Sequence, residues 1–219
     1  MYDRYFATPR KDILPYLPAR IGRVLDIGCG TGATVALLRG QYSLEWAGGV
    51  EIHAASASEA EKVLDRVWTG ALEAAALEAE IPENSLDLIL CLDVLEHLVD
   101  PWTAVKRLSA LLKPGGTLLV SLPNIRNWKF IKNLIFKGDF RYRDSGLLDR
   151  THLRFFVRDT AIELATSGGL HLATCADATN YAATDMRRLL LAVSGGRLSG
   201  LIAKQYVIVA KKTDGGTDA

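Results

Sequence analysis

The sequence predicts an α/β fold in which helices cover both faces of a doubly wound, mainly parallel sheet. Apolar runs rich in β-branched residues alternate with helix-prone segments throughout the first half of the chain, which is the pattern of repeated strand and helix units. Glycine and proline turns separate these segments. The chain has 219 residues and no internal repeat, so we assign residues 1–212 to a single domain and 213–219 to a flexible tail.

The elements follow in chain order. A leader over residues 1–20 contains a short helix that Pro18 should end, and we expect it to form an N-terminal cover. Strands are predicted at 24–27, 47–52, 66–69, 86–92, 117–122, 170–176 and 205–210. Helices are predicted to begin near residue 31 and to span 54–63, 71–80, 101–112, 158–167 and 183–193.

The turn between the first strand and the first helix contains three glycines, Gly28, Gly30 and Gly32. Glycine tolerates positive φ and leaves no Cβ in the path of a ligand. The helix that follows turns free N–H groups towards that ligand. The stretch therefore predicts a cradle for a nucleotide or a nucleoside.

Asp26, at the end of the first strand, bears on which ligand is bound. Gly28, Gly30 and Ala33 satisfy the spacing of a dinucleotide-binding turn, which allows a nicotinamide or flavin cofactor. The Asp26 carboxylate would repel a pyrophosphate, whereas it suits a ligand with an ammonium group and a sulfonium centre. S-adenosylmethionine is such a ligand. The alternative is that Asp26 only caps the following helix.

Glu51 ends the second predicted strand, downstream of the glycine turn. Parallel strands end side by side, so this acid is placed to accept hydrogen bonds from ribose hydroxyls. Ile52 would offer an apolar surface to an adenine ring. The alternative for Glu51 is a solvated carboxylate at the end of a strand.

Composition and charge limit the possible function classes. The formal net charge is +1, so no overall field favours nucleic acid or an anionic membrane. Three scattered cysteines and the lack of an apolar run near ~20 residues suit a cytoplasmic protein with no transmembrane segment. The four histidines lack the close spacing of a structural zinc site, so we expect no metal.

Residues 124–157 interrupt the alternation of strands and helices. Aromatic and aliphatic residues alternate with lysines and arginines over 126–143. Three interpretations remain open for this amphipathic segment: a lid over an acceptor pocket, contact with an anionic acceptor such as a nucleotide-linked sugar, and peripheral attachment to a membrane.

Four blocks, at residues 24–32, 49–52, 86–97 and 112–120, resemble the class I S-adenosylmethionine-dependent methyltransferases. The resemblance implies a Rossmann-like, seven-stranded sheet whose last strand is antiparallel. Pro123-Asn124 followed by Leu148-Asp-Arg-Thr-His-Leu-Arg-Phe-Phe156 is similar to a subgroup of methyltransferase-domain proteins, some associated with sugar, polysaccharide or quinone pathways. The same layout is distantly similar to the methionine-biosynthesis protein that accompanies homoserine acyltransferase.

The resemblance implies that S-adenosylmethionine is the methyl donor and S-adenosylhomocysteine the product. It assigns the methionine part to the first strand and the glycine turn, and the ribose to the acid that ends the second strand. The cofactor-binding residues so implied are Asp26, Gly28, Cys29, Gly30, Gly32, Glu51, Ile52, Leu92 and Asp93. Tyr5 and Arg10 are further candidates, for the cofactor carboxylate. Ala71 stands where many relatives have an acid that binds the adenine amino group.

His97 and His152 are the candidate catalytic residues. A general base helps when the acceptor is a hydroxyl. His97 follows the fourth strand, near the methyl position that the resemblance implies, and His152 precedes the next helix. The alternatives are a helix-start residue bonded to backbone for His97 and a loop anchor for His152. We expect methyl transfer to a small-molecule or saccharide-type acceptor, with oxygen as the methylated atom and no nucleic acid as partner; the alternative is an inactive accessory protein that binds S-adenosylmethionine.

Overall fold

The computed structural model describes residues 7–178 and 199–213. Its strands are β1 (Arg23–Ile27), β2 (Trp46–Glu51), β3 (Arg66–Thr69), β4 (Leu86–Leu92), β5 (Leu112–Pro123), β6 (Leu170–Asp177) and β7 (Gln205–Lys212). Its α-helices are α1 (Ala33–Arg39), α2 (Ala54–Ala60), α3 (Leu77–Glu80), α4 (Pro101–Leu111), α5 (Trp128–Lys137), α6 (Arg158–Thr166) and α7 (Ser199–Ile202). Short 3-10 helices lie at Lys11–Tyr16, Leu72–Ala74 and Leu95–His97.

The seven strands form one sheet in the order β3-β2-β1-β4-β5-β7-β6. Strands β1 to β5 are parallel where they pair, and β7 is antiparallel to both of its neighbours, β5 and β6. The prediction of a mostly parallel, seven-stranded sheet with an antiparallel last strand is confirmed. The direction in which strands are added reverses between β1 and β4. In doubly wound sheets, ligands bind beyond the carboxyl ends of the strands at such a reversal.

Successive residues of the central strands point to opposite faces of the sheet and enter two separate cores. Leu25 and Ile89 join the core under α4 and α6, whereas Val24 and Leu88 join the core under α1 and α2. Strands buried on both faces are mostly apolar along their length, and β1 and β4 are apolar apart from Arg23, Asp26 and Asp87. The two cores hold the carboxyl ends of β1 and β4 in fixed positions relative to each other.

Strand β5 begins at Leu112, before the predicted start at Thr117. Residues 113–116 are not the end of a helix but a bulge, because Leu86 of β4 pairs with Leu112 whereas Leu88 pairs with Thr117. The extra residues on one strand are accommodated by a local bend. The end of α4 and the start of β5 are therefore consecutive residues.

The helix predicted over residues 71–80 is divided into a 3-10 turn and the single helical turn of α3. Arg107 of α4 donates a hydrogen bond to the Leu72 carbonyl at 2.9 Å and another to the Ala75 carbonyl, and it forms an ion pair with Glu78. Because Arg107 satisfies these two backbone carbonyls, they do not need the N–H groups of a continuous helix as partners. The segment therefore follows the surface of α4.

Residues 124–157 lie beyond the carboxyl end of β5 and contain α5. Phe130 of α5 is buried and contacts Phe140 edge to face, and Phe140 contacts Phe155 in the same way. The other end of the helix is open to solvent, with Ile135 and Phe136 exposed by 68% and 74%. In the described ranges, no helix has the length and apolar character needed to cross a membrane.

Asn124 joins this segment to the edge of the sheet. Its side chain is fully buried and its amide nitrogen donates to the carbonyls of Gly200 and Ala203 at 2.8 and 2.9 Å. Its carbonyl oxygen accepts from the Arg126 N–H at 2.9 Å. The buried amide thus donates two hydrogen bonds and accepts one, which explains why asparagine follows Pro123 at the end of β5.

Several sequence predictions concern residues outside the described ranges. They are the proposed cofactor contact of Tyr5, the helix over 183–193 and most of the tail over 213–219.

Candidate active site

Backbone hydrogen bonds hold the glycine turn between β1 and α1. Gly28, Gly30 and Gly32 have φ values of 72°, 54° and 79°, which glycine adopts at little cost. The N–H groups of Gly28 and Cys29 donate to the Val50 carbonyl at 2.8 and 3.1 Å. The turn is therefore joined to the end of β2, so that β1, β2 and the turn meet at one edge of the sheet.

Close packing beneath the turn leaves little room for larger residues. A Cβ on Gly28 would lie 2.6 Å from Val94 Cγ2, and a Cβ on Gly49 would lie 2.6 Å from Cys29 Sγ. Cys29 is buried, and burial raises the pKa of its thiol. Its side chain therefore fills the space over β2 as an inert thiol.

Glu51 is hydrogen-bonded to the glycine turn from the end of β2. Its side chain is 3% exposed, its Oε2 accepts from the Gly30 N–H at 2.8 Å, and its Oε1 accepts from the His53 N–H at 2.8 Å. The alternative of a solvated carboxylate is therefore wrong. Each carboxylate oxygen can accept more than one hydrogen bond, so Glu51 can also accept from a ligand hydroxyl.

Asp26 is a second buried acid next to Glu51. It is 3% exposed, and burial, followed by the charge of Glu51, raises the pKa of Asp26 to about 7, although Arg10 acts in the opposite direction. The alternative of a helix cap is wrong, because Gly32 is the N-cap of α1 and no side chain caps it. Two neighbouring buried acids are stabilised in the ionised form by a cation.

Asp93 follows the end of β4 with a φ of 60°, which is unusual for a residue other than glycine. Its carboxylate accepts from Arg10 Nη1 at 2.6 Å, from Ser121 Oγ at 3.0 Å and from Gln205 Nε2. Burial raises the pKa of Asp93, and Arg10 opposes this. Strained backbone that several hydrogen bonds hold in place is typical of functional sites.

Arg10 fastens the N-terminal segment to this edge of the sheet. Its guanidinium binds both oxygens of Asp12 at 2.9 Å as well as Asp93, and its N–H donates to Thr34 Oγ1 at 3.2 Å in the first turn of α1. Arg10 thus lies at the border of the cradle, and its contact with the cofactor carboxylate stays a prediction. Its charge is shared between two carboxylates of the protein.

His97 and His152, far apart in the sequence, are in contact in the fold. Their ring centroids are 4.7 Å apart and the rings are inclined by 74°. His97 Nδ1 lies 3.1 Å from the Thr151 carbonyl oxygen, and His152 Nδ1 lies 3.1 Å from the Leu147 carbonyl oxygen. Both rings are therefore bonded to backbone at Nδ1, as the structural alternatives anticipate, and each Nε2 remains for other chemistry.

Glu96 lies between Asp93 and the histidine pair. It is 1% exposed, and burial, followed by the charge of Asp93, raises the pKa of Glu96 well above its usual value. Its backbone carbonyl accepts from the N–H groups of Leu153 and Arg154 at 2.8 and 3.0 Å. The block that contains His152 is thereby attached to the turn after β4. Burial, followed by the neighbouring His152, lowers the pKa of His97.

The structure brings the glycine turn, both buried acids and the turn after β4 to one edge of the sheet. Ile52 is at the same edge and is 65% exposed. Two further residues, Ser121 and Gln205, bind Asp93, and neither is predicted from the sequence. Ser121 could have been recognised from the sequence, because it is a polar residue within the apolar run of β5. The position of Gln205 follows only from the register of the antiparallel pair, in which it faces Pro123.

Comparison with known proteins identifies the family. The model of a family described as methyltransferase domain matches residues 2–174. The ubiquinone biosynthesis O-methyltransferase of Xanthomonas campestris pv. campestris (strain B100) is 30% identical over 178 residues, covering 72% of this chain and 71% of the relative. A protein of the same name from Bradyrhizobium diazoefficiens is 36% identical over 124 residues, covering 55% of this chain and 47% of the relative.

Solved structures share the fold at lower sequence identity. A SAM-dependent methyltransferase from Archaeoglobus fulgidus superimposes with a TM-score of 0.61 at 22% identity, covering 91% of this chain and 89% of that chain. The [4+2]-cyclase SpnF superimposes with a TM-score of 0.64 at 18% identity, covering 97% of this chain and 81% of the cyclase chain. Proteins named for different reactions share this architecture, so the fold alone does not decide the reaction.

The match to the family model identifies the reaction as methyl transfer. The site also fits S-adenosylmethionine, the methyl donor of that family. Asp26 and Glu51 provide buried negative charge and hydroxyl-binding oxygens at the ends of β1 and β2, which suit the cationic and ribose parts of S-adenosylmethionine. The family model covers most of the chain. The chain belongs to the S-adenosylmethionine-dependent methyltransferase family.

Proposed function

We propose that the protein transfers the methyl group of S-adenosylmethionine to a hydroxyl oxygen of a small molecule, either a phenol or a saccharide-type compound. The observation that carries this proposal is the contact between His97 and His152 beside Asp93. Removal of a proton is needed when the acceptor is a hydroxyl. The relatives compared above are named O-methyltransferases, which supports oxygen as the methylated atom.

The cofactor would lie across the ends of β1, β2 and β4. When bound, S-adenosylmethionine supplies a methyl group on a positively charged sulfur, which is activated for displacement. We assign its ammonium group to Asp26 and its ribose hydroxyls to Glu51, with the glycine turn beneath. Ile52 would contact adenine through its exposed apolar side chain. Because Ala71 replaces the acid of many relatives, backbone groups would bind the adenine amino group.

The residues at the end of β4 would border the acceptor side of this site. Leu92 and Asp93 would border the cofactor, and the strained backbone of Asp93 is held by Arg10, Ser121 and Gln205. Such positioning is most of what a methyltransferase contributes, because aligned reactants avoid a large entropic cost. The acceptor oxygen forms the new O–C bond as the C–S bond breaks, with the electron pair left on sulfur. We assign the loss of the hydroxyl proton to the His97 and His152 pair.

Residues 126–143 bear on how the acceptor reaches the site. Ile135 and Phe136 are exposed next to basic residues of α5, a surface that suits an apolar acceptor or one held at a membrane. This gives the saccharide alternative less support than the phenol. A lid role for residues 124–157 and a cytoplasmic location remain predictions.

The proposal that oxygen is methylated is tested with pairs of acceptor compounds in which one member carries a hydroxyl where the other carries an amine. The protein, S-adenosylmethionine with an isotopically labelled methyl group, and each compound are incubated, and products are identified by mass spectrometry. We expect labelled methyl ethers from hydroxyl compounds, with phenols preferred to sugars. Transfer to amines alone would contradict the proposal. Binding of S-adenosylmethionine without any transfer would favour the alternative, an inactive accessory protein.

A further inference from the structure

The hydroxyl of Tyr206, the second residue of β7, is buried without a hydrogen-bond partner. The side chain is fully buried, and its Oη forms no hydrogen bond among the described residues. Burial, followed by the charge of Asp177, raises the pKa of Tyr206 to about 12, so the hydroxyl keeps its proton at neutral pH. A buried polar atom without a partner is costly. The hydroxyl is therefore available to donate to a ligand that accepts hydrogen bonds.

Two arginines lie near this hydroxyl. Arg126 follows β5 and Arg158 begins α6, and both are exposed. Their charges act to lower the pKa of Tyr206, against the effect of Asp177, which faces Tyr206 in the pairing of β6 with β7. In the part of the chain that the structure describes, neither guanidinium has a carboxylate within ion-pair distance. Two positive charges therefore lie near the hydroxyl, and one negative charge opposes them.

Gly200 of α7 leaves open a space that Arg126 and Tyr206 both face. A Cβ on Gly200 would lie 3.4 Å from Arg126 Nη1 and 3.6 Å from Tyr206 Oη. These are ordinary contact distances, so an alanine would fit and would fill the space. Gly200 is helical and does not belong to the described glycines with positive φ, and glycine destabilises a helix relative to alanine. The backbone therefore does not require glycine here, whereas the space beside it does.

Asn124 fixes the position of this space in the fold. Its buried amide donates to the Gly200 carbonyl at 2.8 Å and accepts from the Arg126 N–H at 2.9 Å. The residue between Asn124 and Arg126 donates its N–H to the Phe156 carbonyl at 3.0 Å, and Phe156 ends the block that contains His152. The space therefore lies beyond the carboxyl end of β5, beside the segment that carries one of the two histidines assigned to the acceptor.

We propose that Arg126 and Tyr206 bind an oxyanion group of the acceptor, a carboxylate or a phosphate, in the space beside Gly200. A guanidinium binds either group through two N–H donors, and the tyrosine hydroxyl donates a further hydrogen bond. Arg158 adds positive charge. Because Arg126 is exposed, its side chain can turn outward and admit the group to the hydroxyl. The assignment of the oxyanion to the acceptor rests on the proposed function, whereas binding of the oxyanion does not.

Titration with simple anions tests the site without cofactor or acceptor. The full-length protein is titrated calorimetrically with benzoate and, separately, with inorganic phosphate at equal ionic strength. We expect saturation at about one anion per chain, and the tighter of the two anions identifies the group. Arg126→Gln and Gly200→Ala should each weaken binding at least about 10-fold, because one removes the charge and the other fills the space. Arg39→Gln makes the same charge change in an exposed arginine that pairs with Asp65 and should leave binding unchanged.

Tyr206→Phe keeps the test valid if another substitution disturbs folding. It removes a hydroxyl that has no partner to lose among the described residues, so it should weaken anion binding without lowering the unfolding temperature. No saturable binding of either anion, or equal binding in Gly200→Ala and Tyr206→Phe, would overturn the inference.

Matched acceptors connect the site to methyl transfer. A phenol that carries the preferred anionic group should have a KM at least about 10-fold lower than the same phenol with a neutral carboxamide in its place, and Gly200→Ala should remove this difference. Methyl transfer with equal KM for both phenols would overturn the assignment of the anion to the acceptor and leave the proposed function intact. Anion binding without methyl transfer to any hydroxyl compound would support the site and count against the proposed function.

Discussion

Replacing Asp26 by asparagine should remove most of the affinity for S-adenosylmethionine and at the same time stabilise the free protein. Asparagine has nearly the same shape but no charge to attract a cation. Hydrogen bonds to charged groups contribute about 1.5–3 kcal/mol, so we expect the dissociation constant to rise about 10- to 150-fold. Calorimetric titration of both proteins measures this change.

The gain in stability follows from the raised pKa of Asp26, about 7, which is caused first by burial and then by Glu51. Between about pH 4 and 7 the folded protein holds a proton that the unfolded chain has released, so the free energy of unfolding falls as the pH rises through this range. Above about pH 7 a buried charge remains. Asp26→Asn should therefore unfold at a higher temperature at about pH 8, with a gain on the order of 1–3 kcal/mol, and the difference should vanish near about pH 4.

Asp87→Asn is the matched control. Asp87 lies at the amino end of β4, whereas the site lies beyond the carboxyl ends of the strands. Asp87 accepts from the N–H groups of Gly22 and Arg23 at 3.0 and 2.7 Å and pairs with Lys113. Although burial acts to raise it, these partners hold the pKa of Asp87 below its usual value. Its replacement should lower stability at about pH 8 and leave cofactor affinity unchanged. A loss of stability in Asp26→Asn, or unchanged affinity, would contradict the role given to Asp26.

His97→Ala and His152→Ala should each lower kcat for a hydroxyl acceptor about 10²- to 10⁴-fold. The reason is that the contacting imidazoles act together on the acceptor proton. Affinity for S-adenosylmethionine should stay within about twofold, because the cofactor is assigned to Asp26, Glu51 and the glycine turn and not to either histidine. Steady-state kinetics with calorimetry on the same samples separates the two effects.

His171→Ala is the control for these two substitutions, since His171 is exposed on β6. It should keep full activity and stability. If His152→Ala retained the activity of the unsubstituted protein, His152 would be only the loop anchor that its bond to the Leu147 carbonyl allows. If cofactor affinity and activity fell together, the pair would have a structural role.

The sequence was sufficient to predict a doubly wound, mainly parallel sheet, and the family resemblance added its seven strands and the antiparallel last strand. The buried parallel strands β1 and β4 are apolar apart from Arg23, Asp26 and Asp87, and the three glycines of the turn, which have positive φ, are visible in the sequence. The sequence was less informative where a distant residue competes with local preference. Arg107 interrupts the helix predicted over 71–80, and the bulge before Thr117 depends on pairing with β4.

For the polar residues of the site, too, the sequence predicts what depends on local patterns and not what depends on distant contacts. Asp26 and Glu51 could be located because strand ends are recognisable and parallel strands end together. The contact between His97 and His152 could not, because the path of the chain through residues 124–151 determines it. Gln205 reaches Asp93 only through the register of β7 on β5. Long-range register and loop path are not encoded in local patterns of hydrophobicity.

A crystal structure of the protein with S-adenosylhomocysteine tests the central claim most directly. The proposed site predicts ribose hydroxyls within about 2.6–3.2 Å of the Glu51 carboxylate and the ligand ammonium group within hydrogen-bond reach of Asp26. The glycine turn should lie beneath the ligand, and its sulfur should face the side of Asp93 and His97. A ligand bound elsewhere, or one whose ribose does not contact Glu51, would contradict the site and the mechanism built on it.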